Sequence, residues 1–346
     1  MASRFTIIIP AYNGGEYFKE CVRSVLAQTF NDFELAVLDD CSTDKSIDWL
    51  RRQNDARICI YSSEQRLGIV GNWARAAGIP KAPFTTILGQ DDLLHPNYLQ
   101  VMNKLIERHP DAGLYHAHFR FIDENGGFLR ACRPLPEQES AAEYLTALFT
   151  NQRDTYGTGY LWRSQKYDAL GGIPHFEKLL FADDALWFSL MSGSYKATAP
   201  EECFSCRIHL GSTSGSATWQ SWMAAMNEYV PFLKNLAARD VELLRALSAH
   251  RDEYFLYWCR SLYTLALVQA TRANKRIEPQ TFEKMAAQVE ALLPHLAEEF
   301  RRTSSLKSFR VREAINRVAP LRWTYNAYVE LRYSRAVKRL WPASTR

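Results

Sequence analysis

The chain has 346 residues, 47% of them hydrophobic and 23% charged, with seven cysteines. That is enough apolar material for a large core, in two domains or one domain with an extension. The cysteines are odd in number and scattered, which excludes a disulfide scaffold, and no apolar run approaches the roughly 18–20 residues that cross a bilayer.

Net charge is +4, unevenly distributed. Residues 301–346 hold 12 Lys+Arg and 2 Asp+Glu, a net of +10, so the first 300 residues carry −6. A mildly acidic body with a basic tail points to an anionic partner for the tail. Met1-Ala2-Ser3-Arg4 runs directly into a strand-like segment, without the pattern of a signal peptide; the expectation is a cytosolic chain. Cys203-Phe204-Ser205-Cys206 is a lone CxxC with no second ligand pair, and reads as structural thiols.

The first hundred residues alternate strand and helix patterns. Phe5 to Ile9 is a buried-strand run closed by Pro10, and Glu16 to Gln28 has helical spacing. Phe33 to Leu38 is a second strand, followed by a helix from Lys45 to Gln53 for which Ser42, Thr43 and Asp44 are candidate caps. Arg57 to Tyr61 and Phe84 to Leu88 are further strands, with helices over Ile69 to Ala77 and Pro96 to Arg108. This order implies βαβ units and a mostly parallel sheet. Leu114 to Ile122, the turn Asn125-Gly126-Gly127 and Phe128 to Cys132 form a hairpin. Tyr160 to Arg163 is a short strand, Asp183 to Met191 a helix, and Cys203 to His209 a last strand, giving the far side of the sheet an antiparallel portion. Beyond Ala217 the periodicity is helical: Trp219 to Arg239 with a kink at Pro231, then Glu253 to Arg272, Pro279 to Leu292 and Thr324 to Leu340. The Ser-Thr-Ser-Gly-Ser stretch near 212–218 marks a boundary between an α/β domain, 1–215, and a helical C-terminal extension, 216–346.

Three acidic pairs stand out. Asp39-Asp40 and Asp91-Asp92 each follow an apolar strand, where open α/β sheets bind ligands, and Asp183-Asp184 opens a helix. Such carboxylates suit a divalent cation and the diphosphate it carries. Asp40, Ser42 and Asp44 also suit plain helix capping.

Residues 4–215 resemble glycosyltransferase family 2, built on the GT-A fold. The resemblance rests on Ile8-Ile9-Pro10-Ala11-Tyr12-Asn13, Ser24-Val25-Leu26-Ala27-Gln28-Thr29, Asp39-Asp40-Cys41-Ser42-Thr43-Asp44, Gly68, Gly71-Asn72-Trp73 and Gln90-Asp91-Asp92-Leu93-Leu94-His95-Pro96. Leu170-Gly171-Gly172, Asp183-Asp184 and Arg207-Ile208-His209 follow in the same order. It implies an inverting transfer from a nucleotide-sugar donor to a hydroxyl of a glycan or lipid-linked acceptor, in the assembly of a surface polysaccharide. Asp40 would contact the nucleotide, with Pro10, Ala11 and Tyr12 as the opposite wall and Arg66 near the diphosphate. Asp91 would bind Mn2+ or Mg2+, and Asp92 would support it or touch the sugar. Asp184 would be the general base, and Asp183, where the family usually has Glu, would contact the acceptor. Arg207 and His209 would approach the diphosphate and metal; His209 is otherwise a structural histidine. The family often has Asp-x-Asp-Asp at the second pair. Here the first Asp is Gly89, which puts metal dependence in question.

On a helix through Thr324 to Leu340, Tyr325, Val329, Tyr333, Ala336 and Leu340 share a face beside Arg332, Arg335 and Arg339. That suits a peripheral contact with an anionic membrane on its cytoplasmic side, or packing on the catalytic domain. No nucleic-acid reader motif is present. Two alternatives remain open at this point: a nucleotidyltransferase, and a non-catalytic sugar- or membrane-binding module on the same fold.

Overall fold

A computed structural model describes residues 3–209, 211, 212 and 216–336. One mixed sheet organises the first two thirds of the chain. Its parallel half comprises β3 (Ile58–Ser62), β2 (Phe33–Asp39), β1 (Phe5–Ala11) and β4 (Phe84–Ile87), in that order. β9 (Leu161–Arg163) runs antiparallel to β4, and the order continues through β6 (Leu114–Ile122), β10 (Lys196–Arg207) and β5 (Leu93–Leu94). β6 and β10 are parallel to each other. β7 (Phe128–Ala131) pairs with β6, and β8 (Gln138–Glu139) with β10.

The apolar strands are nearly continuous because both sheet faces are covered. Along β1, Phe5, Ile7 and Ile9 enter one core and Ile8 the other; along β2, Phe33, Leu35 and Val37 oppose Ala36 and Leu38 in the same way. The first core is closed by α1 (Gly15–Leu26), α2 (Ser46–Arg51) and α4 (Tyr98–Arg108). The second takes in residues of α5 (Ala141–Phe149), α6 (Ser164–Ala169) and α7 (Ala182–Met191), with α3 (Gly68–Ala74) at its margin.

That second core continues without a break into the C-terminal helices. These are α8 (Trp219–Ala237), α9 (Val241–Arg272), α10 (Thr281–Leu292), α11 (Ala297–Arg302), α12 (Lys307–Arg317) and α13 (Ala319–Ala336). Aromatic rings make the junction: Phe149 stacks on Tyr254 at 3.8 Å between centroids, and Phe181 on Tyr229 at 4.9 Å.

Several sequence expectations need correction. α9 is one helix of 32 residues rather than a start at Glu253, because the Asp240 side chain accepts from Leu243 N and caps it there. The helix expected over Trp219 to Arg239 is present as α8, with Pro231 inside it. β10 starts at Lys196, since Ala199-Pro200-Glu201-Glu202 is absorbed as a bulge rather than ending the strand. α2 begins after Lys45 without a side-chain cap; Asp44 instead accepts from Ser46 N and from Gly15 N. α5, α6 and α12 were not anticipated. Of the expected tail helix, the backbone to Ala336 belongs to α13, while the side chains from position 328 and everything past 336 lie outside the described residues.

Candidate active site

Strand direction gathers the candidate residues. β1, β2, β4 and β10 end at one edge of the sheet, so Ala11, Asp39-Asp40, the turn after Ile87 and Arg207 all emerge there. Ligands of α/β sheets bind at such an edge.

At the first acidic pair, Asp40 is buried and takes hydrogen bonds from Leu67 N (2.6 Å) and Gly68 N (2.9 Å), one on each carboxylate oxygen. It thereby fixes the entry to α3. Asp39 accepts from Ser42 N, and Asn13 accepts from Thr43 N and Asp44 N, tying the loop after β1 to the loop after β2. Gln90 clamps Tyr12 by accepting from its N–H (3.0 Å) and donating to its carbonyl (3.2 Å). The exposed Arg66 guanidinium lies 4.1 Å from the centre of the Tyr12 ring. Pro10, Ala11, Tyr12, Asp40 and Arg66 are thus brought to one corner.

The second pair is tied to the end of β10. Asp91 Oδ2 and His209 Nε2 are 2.6 Å apart, and this carboxylate holds the imidazole protonated above its usual range. Asp92 is buried; Oδ1 accepts from Arg207 N (2.9 Å) and Oδ2 from the Thr158 hydroxyl (2.5 Å). Burial, then the charge of Asp91, pushes Asp92 up to about 7. Arg207 is only 2% exposed. Its guanidinium donates to the Asp91 carbonyl, the Glu124 carbonyl and Glu20, and lies over the Tyr17 ring. Its donors are directed into the protein, so it braces Asp91 from behind.

The departure at Gly89 has a steric cause. A Cβ there would sit 3.0 Å from Asp91 Oδ1, 3.1 Å from Asp92 Oδ2 and 3.3 Å from a Thr158 methyl. An aspartate at 89 would need the Asp91, Asp92 and Thr158 side chains to give way by a few tenths of an ångström. The donor atoms left for a cation are the Asp91 carboxylate and His209 Nε2. This oxygen-plus-imidazole pair suits Mn2+, and suits Mg2+ through the carboxylate. Among the described residues no group of three or more His, Cys, Asp or Glu side chains converges, so a cation held here needs phosphate oxygens and water to complete its shell.

The third pair opens α7. The approach is strained: Lys178, Leu179 and Phe181, none of them glycine, have φ of 53°, 59° and 62°. Left-handed backbone at such residues costs on the order of 1–3 kcal/mol each. The stacking of Phe181 on Tyr229 helps to hold it. Asp183 lies against Gly157, one residue from the Thr158 that holds Asp92, so the Gly157-Thr158 turn joins the second and third pairs. Asp184 is 6% exposed and its Oδ1 has no hydrogen-bond partner. Burial, and then the Asp183 charge, pushes it well above the usual carboxylate range, while the nearby Tyr144 hydroxyl opposes the shift. Burial raises Asp183 as well. Desolvation outweighs the helix N-terminus, which favours the anion.

Sequence reasoning missed Tyr17, Glu20, Gln90, Tyr144 and Thr158. Tyr17 and Glu20 are three apart on α1 and share a face, a spacing that could have marked them. Thr158 lies in an irregular segment that carries no periodic signal.

Residues 6–168 match the model of Glycosyl transferase family 2. This segment is a glycosyltransferase family 2 domain. This glycosyltransferase is 27% identical over 202 residues to an uncharacterized glycosyltransferase, MJ1057, of Methanocaldococcus jannaschii, covering 57% of this chain and 68% of that one. It is 28% identical over 151 residues to the amylovoran biosynthesis glycosyltransferase AmsB of Erwinia amylovora, covering 41% of this chain and 50% of the relative. Among solved structures, residues 1–349 of S. aureus TarS in complex with UDP-GlcNAc superpose with a TM-score of 0.65 at 15% identity, covering 94% of this chain and 92% of that fragment. The fold likeness therefore spans the C-terminal helices as well as the sheet.

Proposed function

We propose that this glycosyltransferase is inverting, and moves a sugar from a nucleoside diphosphate donor to a hydroxyl of a glycan or lipid-linked saccharide. The similarity to AmsB, a glycosyltransferase of amylovoran biosynthesis, and the nucleotide sugar bound in TarS support assembly of a cell-surface polysaccharide. The observation that carries the mechanism is the buried Asp184 carboxylate with an unpartnered oxygen and a raised pKa beside Asp183. A carboxylate so placed has the proton affinity an ordinary one lacks, and proton affinity is what a general base needs.

In the proposed reaction the Asp183–Asp184 pair, through the Asp184 carboxylate, takes the proton of the acceptor hydroxyl. The hydroxyl oxygen forms its bond to the anomeric carbon as the bond to the diphosphate breaks, inverting that carbon. Asp183, the more exposed of the two, contacts the acceptor. Asp40, Pro10, Ala11, Tyr12 and Arg66 hold the nucleotide end, and Asp92 and Arg207 brace the diphosphate side. Asp91 and His209 would hold Mn2+ or Mg2+, which when bound offsets the charge on the leaving diphosphate. A peripheral position on the cytoplasmic face of a membrane suits the basic C-terminal segment.

A panel of nucleotide sugars with Mn2+ and a hydroxyl acceptor tests the reading, with product configuration assigned by proton NMR. Nucleoside diphosphate release with an inverted anomeric centre is expected. Pyrophosphate release, or retention of configuration, would refute it.

A further inference from the structure

The α12–α13 hairpin carries a surface unlike the rest of the molecule. Five of the eleven large apolar side chains most exposed among the described residues fall within it or at its entry: Leu306, Val311, Val318, Leu321 and Trp323, the last 74% exposed. On α12, Lys307, Arg310, Val311, Ala314 and Val318 are exposed at helical spacing. On α13, Pro320, Trp323, Thr324 and Ala327 repeat the pattern. Each of the two adjacent helices therefore exposes apolar side chains, with basic ones among them on α12.

Its charge is of one sign. Residues 303–327 contain five Lys+Arg and a single acid, Glu313. Glu313 is turned to the body: it accepts from the Tyr263 hydroxyl and pairs with Arg317 at 3.5 Å. Lys307, Arg310 and Arg312 form no ion pair among the described residues. Some exposed arginines elsewhere are matched by acids, as in Arg245–Glu242, Arg301–Glu290 and Arg302–Glu298.

The hairpin is also anchored. Asn316 is buried, accepts from Ile277 N (2.8 Å) and donates to the Thr271 hydroxyl (3.0 Å) and the Lys275 carbonyl (3.1 Å). Asn326 donates to the Thr271 carbonyl, and the Phe309 ring stacks on Tyr263. The outer face is thus presented by a fixed platform.

We infer that the outer face of the α12–α13 hairpin docks on an anionic lipid bilayer, with Val311 and Trp323 entering the interfacial zone and Lys307 and Arg310 meeting headgroup phosphates. Tryptophan and valine beside lysine and arginine suit that zone, where an apolar body and a charged tip are both satisfied. A soluble polyanion would account for the arginines and leave the five apolar side chains without a partner. The inference deepens the membrane side of the proposed function, locating the contact on a folded hairpin, and is independent of donor chemistry.

The experiment is sedimentation of the full chain with phosphatidylglycerol–phosphatidylcholine vesicles and with pure phosphatidylcholine vesicles, at low and physiological salt. Polyphosphate serves as soluble competitor, and donor hydrolysis is measured in parallel. Binding to the anionic vesicles only, weakened by salt, is expected. Near the surface each basic residue contributes roughly fivefold in affinity, so Lys307→Glu with Arg310→Glu should lower it about twentyfold or more. Val311→Ala with Trp323→Ala should lower vesicle binding and leave polyphosphate binding unchanged. Both double variants should keep the melting temperature and donor hydrolysis of the parent, so failure here is distinguishable from failure of the catalytic reading. Equal vesicle binding by parent and variants would overturn the inference, as would no binding to anionic vesicles, or polyphosphate binding that falls with the apolar pair.

Discussion

Replacing Asp184 by Asn should stabilise the protein at high pH while stopping catalysis. The side chain keeps its shape but can no longer ionise. In the parent, the folded-state pKa of Asp184 is raised above its unfolded value, so the folded state holds a proton that the unfolded chain has released. Stability contributed by the parent carboxyl is present below the unfolded carboxylate pKa and is lost as pH rises through the folded one. Each unit of upward displacement is worth about 1.4 kcal/mol above the window. An unsatisfied buried polar atom such as Oδ1 costs about 1–3 kcal/mol by a separate route. A gain of roughly 1 kcal/mol raises the melting temperature of a domain of 150–250 residues by about 2–4 °C. Asp184→Asn should therefore match the parent near pH 4 and melt several degrees higher near pH 8. Turnover should fall about 10²–10⁴-fold, the usual worth of a general base, with nucleotide affinity nearly intact. Calorimetry across pH and donor turnover are the two assays. A melting-temperature difference independent of pH would refute the desolvation argument, and surviving turnover would place the base elsewhere.

Tyr144→Phe removes the hydroxyl that opposes the Asp184 shift while keeping the ring under the Lys196 ammonium, 4.7 Å from its centre. The acid limb of the kcat profile should move to higher pH; an unmoved limb would exclude Tyr144 as a positioning residue. Gly89→Asp, which restores the family's usual acid, should lower both stability and donor turnover, because its Cβ meets Asp91, Asp92 and Thr158. Higher turnover in this variant would show that the pocket relaxes. Arg207→Met strands the Asp91 and Glu124 carbonyls and should cost about 2–3 kcal/mol in denaturant unfolding; a change within about 0.5 kcal/mol would show that the buried guanidinium is not a brace.

The parallel half of the sheet was readable because its strands are apolar on both faces and its helices carry a 3.6-residue period. Ile7, Ile8 and Ile9 illustrate this, their side chains dividing between two cores. The acidic pairs were readable because Asp39-Asp40 and Asp91-Asp92 follow strand ends. Side-chain direction was not readable. Nothing in the order of residues says that Arg207 turns inward to Glu20, that the Gly157-Thr158 turn spans two acidic pairs, or that Asp184 is surrounded by ring systems from α5, α8 and α9. α12 escaped notice because its sequence is rich in charge, and only Phe309 and Asn316 bury fully. α5 begins at the capping box Ser140–Glu143, a legible signal in a stretch otherwise read as loop.

The central claim is that the Asp91–His209 pair forms the cation end of a site whose donor lies along the sheet edge. Crystals soaked with Mn2+ and a nucleoside diphosphate, with data collected at the manganese edge, test it most directly. The account predicts an anomalous peak bonded to an Asp91 carboxylate oxygen and His209 Nε2, with the direct contact between the two side chains opened and the diphosphate on the metal's far side. A peak elsewhere, or a diphosphate bound while Asp91 and His209 remain hydrogen-bonded to each other, would contradict it.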